Sequence, residues 1–408
     1  EKLRDRRAAA NRDDIPTRFN DIQVLNKRLL NTPLKINKYK GDFIFTKANY
    51  LLSHSVGRPL IESEKFFNDK FFKPWSDGLA EPWQEWLQAT DNFTSQLALL
   101  FSAKKEEFCP QINLSSGLSK LLMSVEGLQN KKPIVLMSEI DFPGMGFVLK
   151  KSLPDDCEVR FIPANEDVTN FAVWEKYLTD DIDLVFISHA YSNTGQLAPI
   201  DKALSLAKSK KIISVLDVAQ SVGIVPIDLE VLQPDFMIGS SVKWLCGGPG
   251  AAYLWINSKR LPFCHPRDVG WFSHENPFEF DIHNFRYRDS ALKFWGGTPS
   301  VAPYVVAGHS ISYFNNIGIN KVRQHNQKLI EQISREFGDE FVSPREGAKR
   351  GGTMILNFGS NQKKILHRLN ENKISVDLRS QGIRISPHIY NDDEDMTHLI
   401  KVIKATKF

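Results

Sequence analysis

The sequence predicts an α/β protein, with a largely parallel sheet covered by helices on both faces and a smaller α+β unit after it. Three observations predict it. First, five short runs are apolar almost throughout: "PIVLMSE" (133–139), "LVFISHA" (184–190), "IISVLDVA" (212–219), "DFMIGSS" (235–241) and "AAYLWI" (251–256). Strands of this kind are buried on both faces, as in parallel sheets. Second, helical patterns near 115–128, 144–152, 166–179 and 200–210 separate them, so strand and helix alternate. Third, the pattern changes after residue 303: a long helical stretch through "KVRQHNQKLIEQISREF" leads to a mixed unit closed by "DDEDMTHLIKVIKAT". That last helix opens with acids and ends with lysines, matching the helix dipole.

In order along the chain, residues 1–47 are polar with scattered apolar positions and read as an arm or short helices packing with the small domain. Residues 48–302 form the expected large domain, and within it 257–300, rich in Pro, Gly and aromatics, reads as loop. Residues 303–408 form the expected small domain. The composition, 42% hydrophobic and 25% charged, is that of a globular protein with a large core. A formal charge of +4 gives no argument for nucleic acid or an anionic membrane as partner. There is no run of 18 apolar residues, and "EKLRDRRAAANRDD" is no signal peptide. That start lacks methionine, which suggests a trimmed or processed chain. Cys109, Cys157, Cys246 and Cys264 are scattered and form no CxxC pair or disulfide framework. A soluble, cytoplasmic protein is expected.

The polar groups of interest fall just past the strands, where open α/β sheets bind ligands. "NLSSGLSKLL" (113–122) sets Ser and Gly before a helical apolar pattern, and a helix N-terminus favours phosphate. "VLDVAQSVG" ends an apolar strand in Asp217, a carboxylate that is costly there without a partner. "SSVKWLCGGPG" (240–250) places Lys243 after another strand and before a glycine turn, which is expected to approach what the lysine holds. Each piece alone has an ordinary reading as an N-cap or a turn. Together they make one kind of site. A Schiff-base lysine must be partly out of water, so that its neutral amine is accessible. A carboxylate at a neighbouring strand end holds a pyridinium N–H, and a helix N-terminus holds a phosphate. That is a site for pyridoxal 5'-phosphate (PLP), the electron sink of amino-acid chemistry. Neither His274 nor Cys264–His265 has zinc-ligand spacing, and no metal is expected. "GMG" (144–146) lacks the third glycine of a dinucleotide fingerprint.

At this point the chain resembles a family. Residues 217–256, "DVAQSVGIVPIDLEVLQPDFMIGSSVKWLCGGPGAAYLWI", are similar to the class V, fold-type I PLP enzymes, with their Asp-x-x-Gln/His, Ser-x-x-Lys and Gly-Pro-x-Gly pattern. Within class V, "DFPGMGF" (141–147), "TGQ" (194–196), "VGWFSHENPFEF" (269–280) and "IRISPHIYN" (383–391) resemble segments of kynureninases. The resemblance implies a seven-stranded, mostly parallel sheet and a homodimer. It implies Lys243 as the Schiff-base lysine, Asp217 at the pyridine nitrogen and Gln220 at the ring hydroxyl. Leu118 (through its backbone) and Ser119 would hold the phosphate, with Ser240 helping. Phe142 would stack on the ring, with Ser188 and Asn193 near its edge. Thr298, in "FWGGTPS" (294–300), would reach the partner's phosphate, with Trp271 in the same neighbourhood. Arg384 would clamp the α-carboxylate of a small amino-acid substrate, and His54, in "LLSHSVGRP", would line the substrate pocket.

The sequence also departs from that pattern. Val242 stands where kynureninases have a tyrosine before the lysine, Gln220 replaces their ring-binding histidine, and Met145 replaces an acid. Residues 265–408 contain no cysteine, which speaks against a desulfurase needing a loop thiol. The expected function is a PLP enzyme acting on an L-amino acid through an external aldimine, with kynureninase-like Cβ–Cγ cleavage first. A class V aminotransferase is second and a C–S lyase or β-eliminating enzyme third. The reading from another class is a catalytically inactive PLP-fold module. Retention of Lys243, Asp217 and Arg384 together argues against it.

Overall fold

The computed structural model describes residues 39–45, 48–78 and 80–406, so most of the expected N-terminal arm lies outside the described residues. The strands are β1 (Asn49–Tyr50), β2 (Phe108–Gln111), β3 (Ile134–Ser138), β4 (Glu158–Ile162), β5 (Leu184–Ser188), β6 (Ile213–Asp217), β7 (Phe236–Ser240), β8 (Ala252–Ile256), β9 (Met354–Leu356), β10 (Ile374–Ser375), β11 (Asp377–Arg379) and β12 (Gly382–Ile385). Seven of them form one sheet in the order β2-β8-β7-β6-β5-β3-β4. The pairs from β7 through β4 are parallel, and β8 runs antiparallel to both its neighbours. The five apolar runs are β3, β5, β6, β7 and β8. The two strands without an apolar run, β2 and β4, are the edges. Edge strands carry less core and more charge or proline, here Pro110 in β2 and Glu158 and Arg160 in β4.

Period-two alternation divides the strand residues between two cores. In β5, Leu184 and Phe186 join Leu118 and Leu121 of the helix Leu114–Ser124 and Leu149 of the helix Pro143–Ser152 on one face. Val185 and Ile187 join the helices Trp83–Phe101, Phe171–Tyr177, Ile200–Ser209 and Ala302–Ile317 on the other. A third core sits in the C-terminal unit, where Ile330, Ile333, Leu356, Ile383 and Leu399 pack around the antiparallel sheet β11-β12-β9.

The chain crosses the domain limits expected from sequence at two places. β1 pairs in parallel with β10, and Leu51 packs in the C-terminal core, so residues 49–51 are built into that unit. Conversely, the helix Ala302–Ile317 gives Tyr304, Ala307, Ile311 and Phe314 to the core of the large sheet. A helix pattern reveals that a face is apolar, not which core will cover it.

Candidate functional site

The carboxyl ends of β5, β6 and β7 line up in register: Ser188 lies opposite Asp217, and Ser240 closes the next strand. They open into a cavity of about 270 Å³, also lined by Lys243, Gln220 and Phe142. Lys243 follows β7 by three residues, Gln220 lies in the turn after β6, and Phe142 precedes the helix Pro143–Ser152 with 60% of its surface exposed. Burial pulls the Lys243 ammonium down from its ordinary range; Asp217 opposes this and Arg384 adds to it. Among the described residues its Nζ has no hydrogen-bond partner. Burial likewise raises the Asp217 carboxyl, against the Ala219 N–H, 2.8 Å from Oδ1, and the Lys243 charge. Its Oδ2 accepts from no described residue and is open to a ring N–H.

A second buried carboxyl stands beside this pair. Asp141 accepts from the Ser138 N–H at 2.7 Å, and burial pushes it up to about 7, opposed by Ser188 and Ser138 and reinforced by Asp217. Sequence reasoning did not single it out, because its burial depends on β5.

The helix N-terminus that opens on the cavity lies one turn before the residues expected to hold the phosphate. Asn113 caps the helix Leu114–Ser124, its side chain accepting from the Ser116 N–H at 2.8 Å. The open N–H groups are therefore those of Leu114 and Ser115, and both residues line the cavity. Leu118 is fully buried in the core, and Ser119 Oγ lies 2.8 Å from Ser152 Oγ. Neither lines the cavity. Asn113 was the sequence signal: an N-cap there fixes the first turn at 114–116.

The glycine turn after Lys243 also packs differently from expectation. A Cβ on Gly247 would lie 2.7 Å from Ser241 Cβ and 3.0 Å from Ala307, so this glycine admits the helix Ala302–Ile317. Gly250, at φ +92°, does line the cavity. Behind the lysine, the Gly57 N–H donates to the Val242 carbonyl at 2.9 Å, and a Cβ there would meet the Lys243 carbonyl at 2.1 Å. Gly57 was missed by sequence reasoning, since a lone glycine does not announce what approaches it.

Arg384 is buried on β12 directly opposite Asp377 on β11. Its Nε donates to Asp377 Oδ1 at 2.8 Å, its Nη2 pairs with Oδ2, and its Nη1 donates to the Ser192 carbonyl at 3.1 Å. Ser192 lines the cavity. His54 is buried with both ring nitrogens engaged, Nδ1 2.6 Å from Ser386 Oγ and Nε2 3.0 Å from Asp377 Oδ1. Burial lowers its pKa, against the Asp377 contact. Burial would raise the Asp377 carboxyl, yet the bonds from His54 and Arg384 together hold it well below the usual carboxylate range. His54 and Arg384 therefore converge on Asp377 beside the cavity instead of lining it. Gln220 Nε2 donates to the His54 carbonyl at 3.1 Å, tying the two groups together. Asn193 lies one residue beyond Ser192, outside the lining. Trp271 packs in an aromatic cluster with Trp83, Phe272 and Phe280, and Thr298 is exposed; neither reaches this chain's own cavity.

A desolvated lysine with a free Nζ, a buried carboxylate with a free oxygen, an open helix N-terminus and an exposed phenyl face are the donor set that PLP requires. Fold and site together define a PLP enzyme of fold type I. The Aminotransferase class-V family model matches residues 88–399. The chain is 26% identical over 326 residues to the "Uncharacterized aminotransferase YcbU" of Bacillus subtilis, covering 79% of this chain and 85% of that protein. It is 27% identical over 357 residues to a kynureninase of Deinococcus radiodurans, covering 84% of each. Among solved structures, the apo cysteine desulfurase of Thermococcus onnurineus superposes with a TM-score of 0.79 at 18% identity, over 91% of this chain and 97% of that one. The chain belongs to the class V aminotransferase family, and its cofactor is pyridoxal 5'-phosphate. Among the described residues, no helix is long and apolar enough to cross a membrane.

Proposed function

We propose that this enzyme acts on an L-amino acid with a bulky uncharged side chain, and that it cleaves the Cβ–Cγ bond hydrolytically, as a kynureninase does. The observation that carries the reading is the neutral-leaning Lys243 facing Asp217 in one cavity, with Arg384 beside its wall. When bound, PLP supplies an aldehyde that takes up amines and a pyridinium ring that withdraws electrons from the substrate's α-carbon. Lys243 holds the cofactor and then carries the proton at that carbon, for which a lysine shifted down by burial is suited. Asp217 Oδ2 would keep the ring nitrogen protonated. The Leu114 and Ser115 N–H groups would hold the phosphate, helped by Ser240, and Phe142 would cover a ring face. Ser188 and Gln220, which also line the cavity, would contact the ring.

The lining supports the substrate class. Ile112, Ile140, Met145, Val242 and Pro249 form apolar walls, and Lys243 is the one cation among the lining residues. A side-chain carboxylate would enter without a partner, at the cost of burying a charge. Transamination is the second reading, favoured by Val242 in the place of a proton-handling tyrosine. A desulfurase is disfavoured by its need for a reactive thiol. Burial pushes Cys109 up to about 12 and Cys264 to about 11, and raises Cys246 and Cys157 as well. The functional unit is a homodimer in which the exposed Thr298 segment completes the neighbour's site.

The deciding experiment is product analysis with L-kynurenine, with and without 2-oxoglutarate. Hydrolysis adds water and yields anthranilate and L-alanine without a keto acid. Formation of glutamate only when 2-oxoglutarate is present would replace the hydrolase reading with the aminotransferase. Borohydride treatment should fix a pyridoxyl group on Lys243; labelling elsewhere would reject the lysine assignment.

A further inference from the structure

Arg384 is already paired before any substrate arrives, and the edge of the guanidinium that is paired matters. A guanidinium has two bidentate edges, one formed by Nε and one Nη, the other by the two terminal nitrogens. Asp377 takes the first edge through both its oxygens. The terminal nitrogen Nη1 donates to the carbonyl of Ser192 at 3.1 Å, and Ser192 lines the cavity. The pairing is built into the backbone, because Asp377 and Arg384 are cross-strand partners in the β11–β12 hairpin. Asp377 is itself held from behind. His54 Nε2 lies 3.0 Å from its Oδ1, His54 Nδ1 lies 2.6 Å from Ser386 Oγ, and that hydroxyl lies 2.9 Å from Thr353 Oγ1. The chain Thr353–Ser386–His54–Asp377–Arg384 thus draws on four segments and ends at the cavity wall. By contrast, Arg379 touches the same carboxylate at 3.4 Å from an exposed position.

We propose that Asp377 is the positioning residue of the carboxylate clamp: by occupying the inner edge of Arg384 it fixes the plane of the guanidinium, so that the outer edge is presented to the α-carboxylate of the substrate. His54 serves the clamp by holding Asp377, not by contacting substrate. The proposal rests on the reading of Arg384 as the group that receives that carboxylate. A lone arginine has several rotamers to lose on binding, and fixing it beforehand removes that cost from each binding event.

The test compares acids with the amines that lack the carboxylate: L-kynurenine with kynuramine, and L-phenylalanine with phenethylamine. Each is titrated into the holoenzyme and followed by the absorbance of the bound cofactor. Wild type should prefer each acid to its amine. Asp377→Asn should weaken the acids by about tenfold, the scale of coupling between contacting residues, and leave the amines within about twofold, the scatter expected of uncoupled changes. Asp377→Glu should recover part of the loss, and Arg379→Ala should change neither. In an Arg384→Ala background, Asp377→Asn should add nothing, because its effect runs through the arginine. A wild type that binds acid and amine alike overturns the clamp reading and this proposal together. An acid preference that survives Asp377→Asn, an equal loss for acids and amines, or full additivity in the double variant overturns the proposal alone.

Discussion

At the scale of single residues, the site is a set of ionisable groups whose ordinary behaviour is changed by burial. Asp141 carries the most direct consequence. Its carboxyl is pushed up to about 7 in the fold by burial, against about 3.9 in the unfolded chain. The folded state therefore binds this proton more tightly. Its stabilising contribution is complete below the unfolded value and is lost as pH rises through the folded one. Asp141→Asn imitates the protonated form at every pH. Thermal unfolding of the holoenzyme from about pH 4 to about pH 8 should therefore show the difference between variant and wild type moving steadily in favour of the variant. A difference that stays constant over that range means that Asp141 is ionised in the fold. Burial likewise favours the neutral form of Lys243, which for an amine lowers the pKa.

At the scale of elements, the helix Leu114–Ser124 shows how one turn separates a binding role from a packing role. Its first turn opens on the cavity, and its second turn faces the core beneath β7 and β8. Leu114→Pro removes one of the two open N–H groups at a position where proline fits the helix. It should reduce PLP affinity by about tenfold, in line with loss of one hydrogen bond to a charged group, and change the melting temperature of the cofactor-free protein little. Leu118→Ala should do the reverse, costing about 2–5 kcal/mol of stability by opening a core cavity while the folded fraction binds PLP normally. Fluorescence titration with PLP and thermal denaturation of both variants check this; interchanged outcomes would return the phosphate to the second turn. The hairpin β11–β12 repeats the lesson on strands. Register alone places Asp377 against Arg384 and leaves Arg379 opposite Gly382 at the turn end of the hairpin.

At the scale of the whole molecule, the cavity holds the strand-end groups, while Thr298 and Trp271 lie elsewhere on the same chain. The loop that carries them is apolar and exposed: Phe278 is 50% exposed, Phe280 79% and Ile282 90%. Exposed apolar residues grouped in this way mark an interaction surface. In the proposed dimer, a two-fold axis would bring one copy's loop to the other's site and the converse, making the active unit a symmetric pair. Light scattering with activity measured across the eluting peak should find activity only at the mass of the dimer or above. Thr298→Arg should weaken PLP binding without unfolding the chain. A fully active monomer rules this assembly out.

Sequence by itself determined the strand-helix alternation, the strand ends that carry Ser188, Asp217 and Ser240, and the lysine three residues past β7. These are local patterns, because an apolar run ending in a polar residue marks both the strand and its end. It also supplied Arg384, through the likeness of "IRISPHIYN" to known segments. Only the tertiary structure decided which carboxylate holds that arginine, since Asp377 and His54 meet it through a hairpin register and a chain crossing more than 300 residues long. The structure alone placed residues 49–51 in the C-terminal core and the helix Ala302–Ile317 against the large sheet. It placed the helix N-terminus that opens on the cavity at Leu114 and Ser115, with Leu118 in the core and Ser119 on Ser152. In each case the deciding quantity is burial against a distant segment, and a linear pattern of apolar and polar residues records that a face is covered without recording by what.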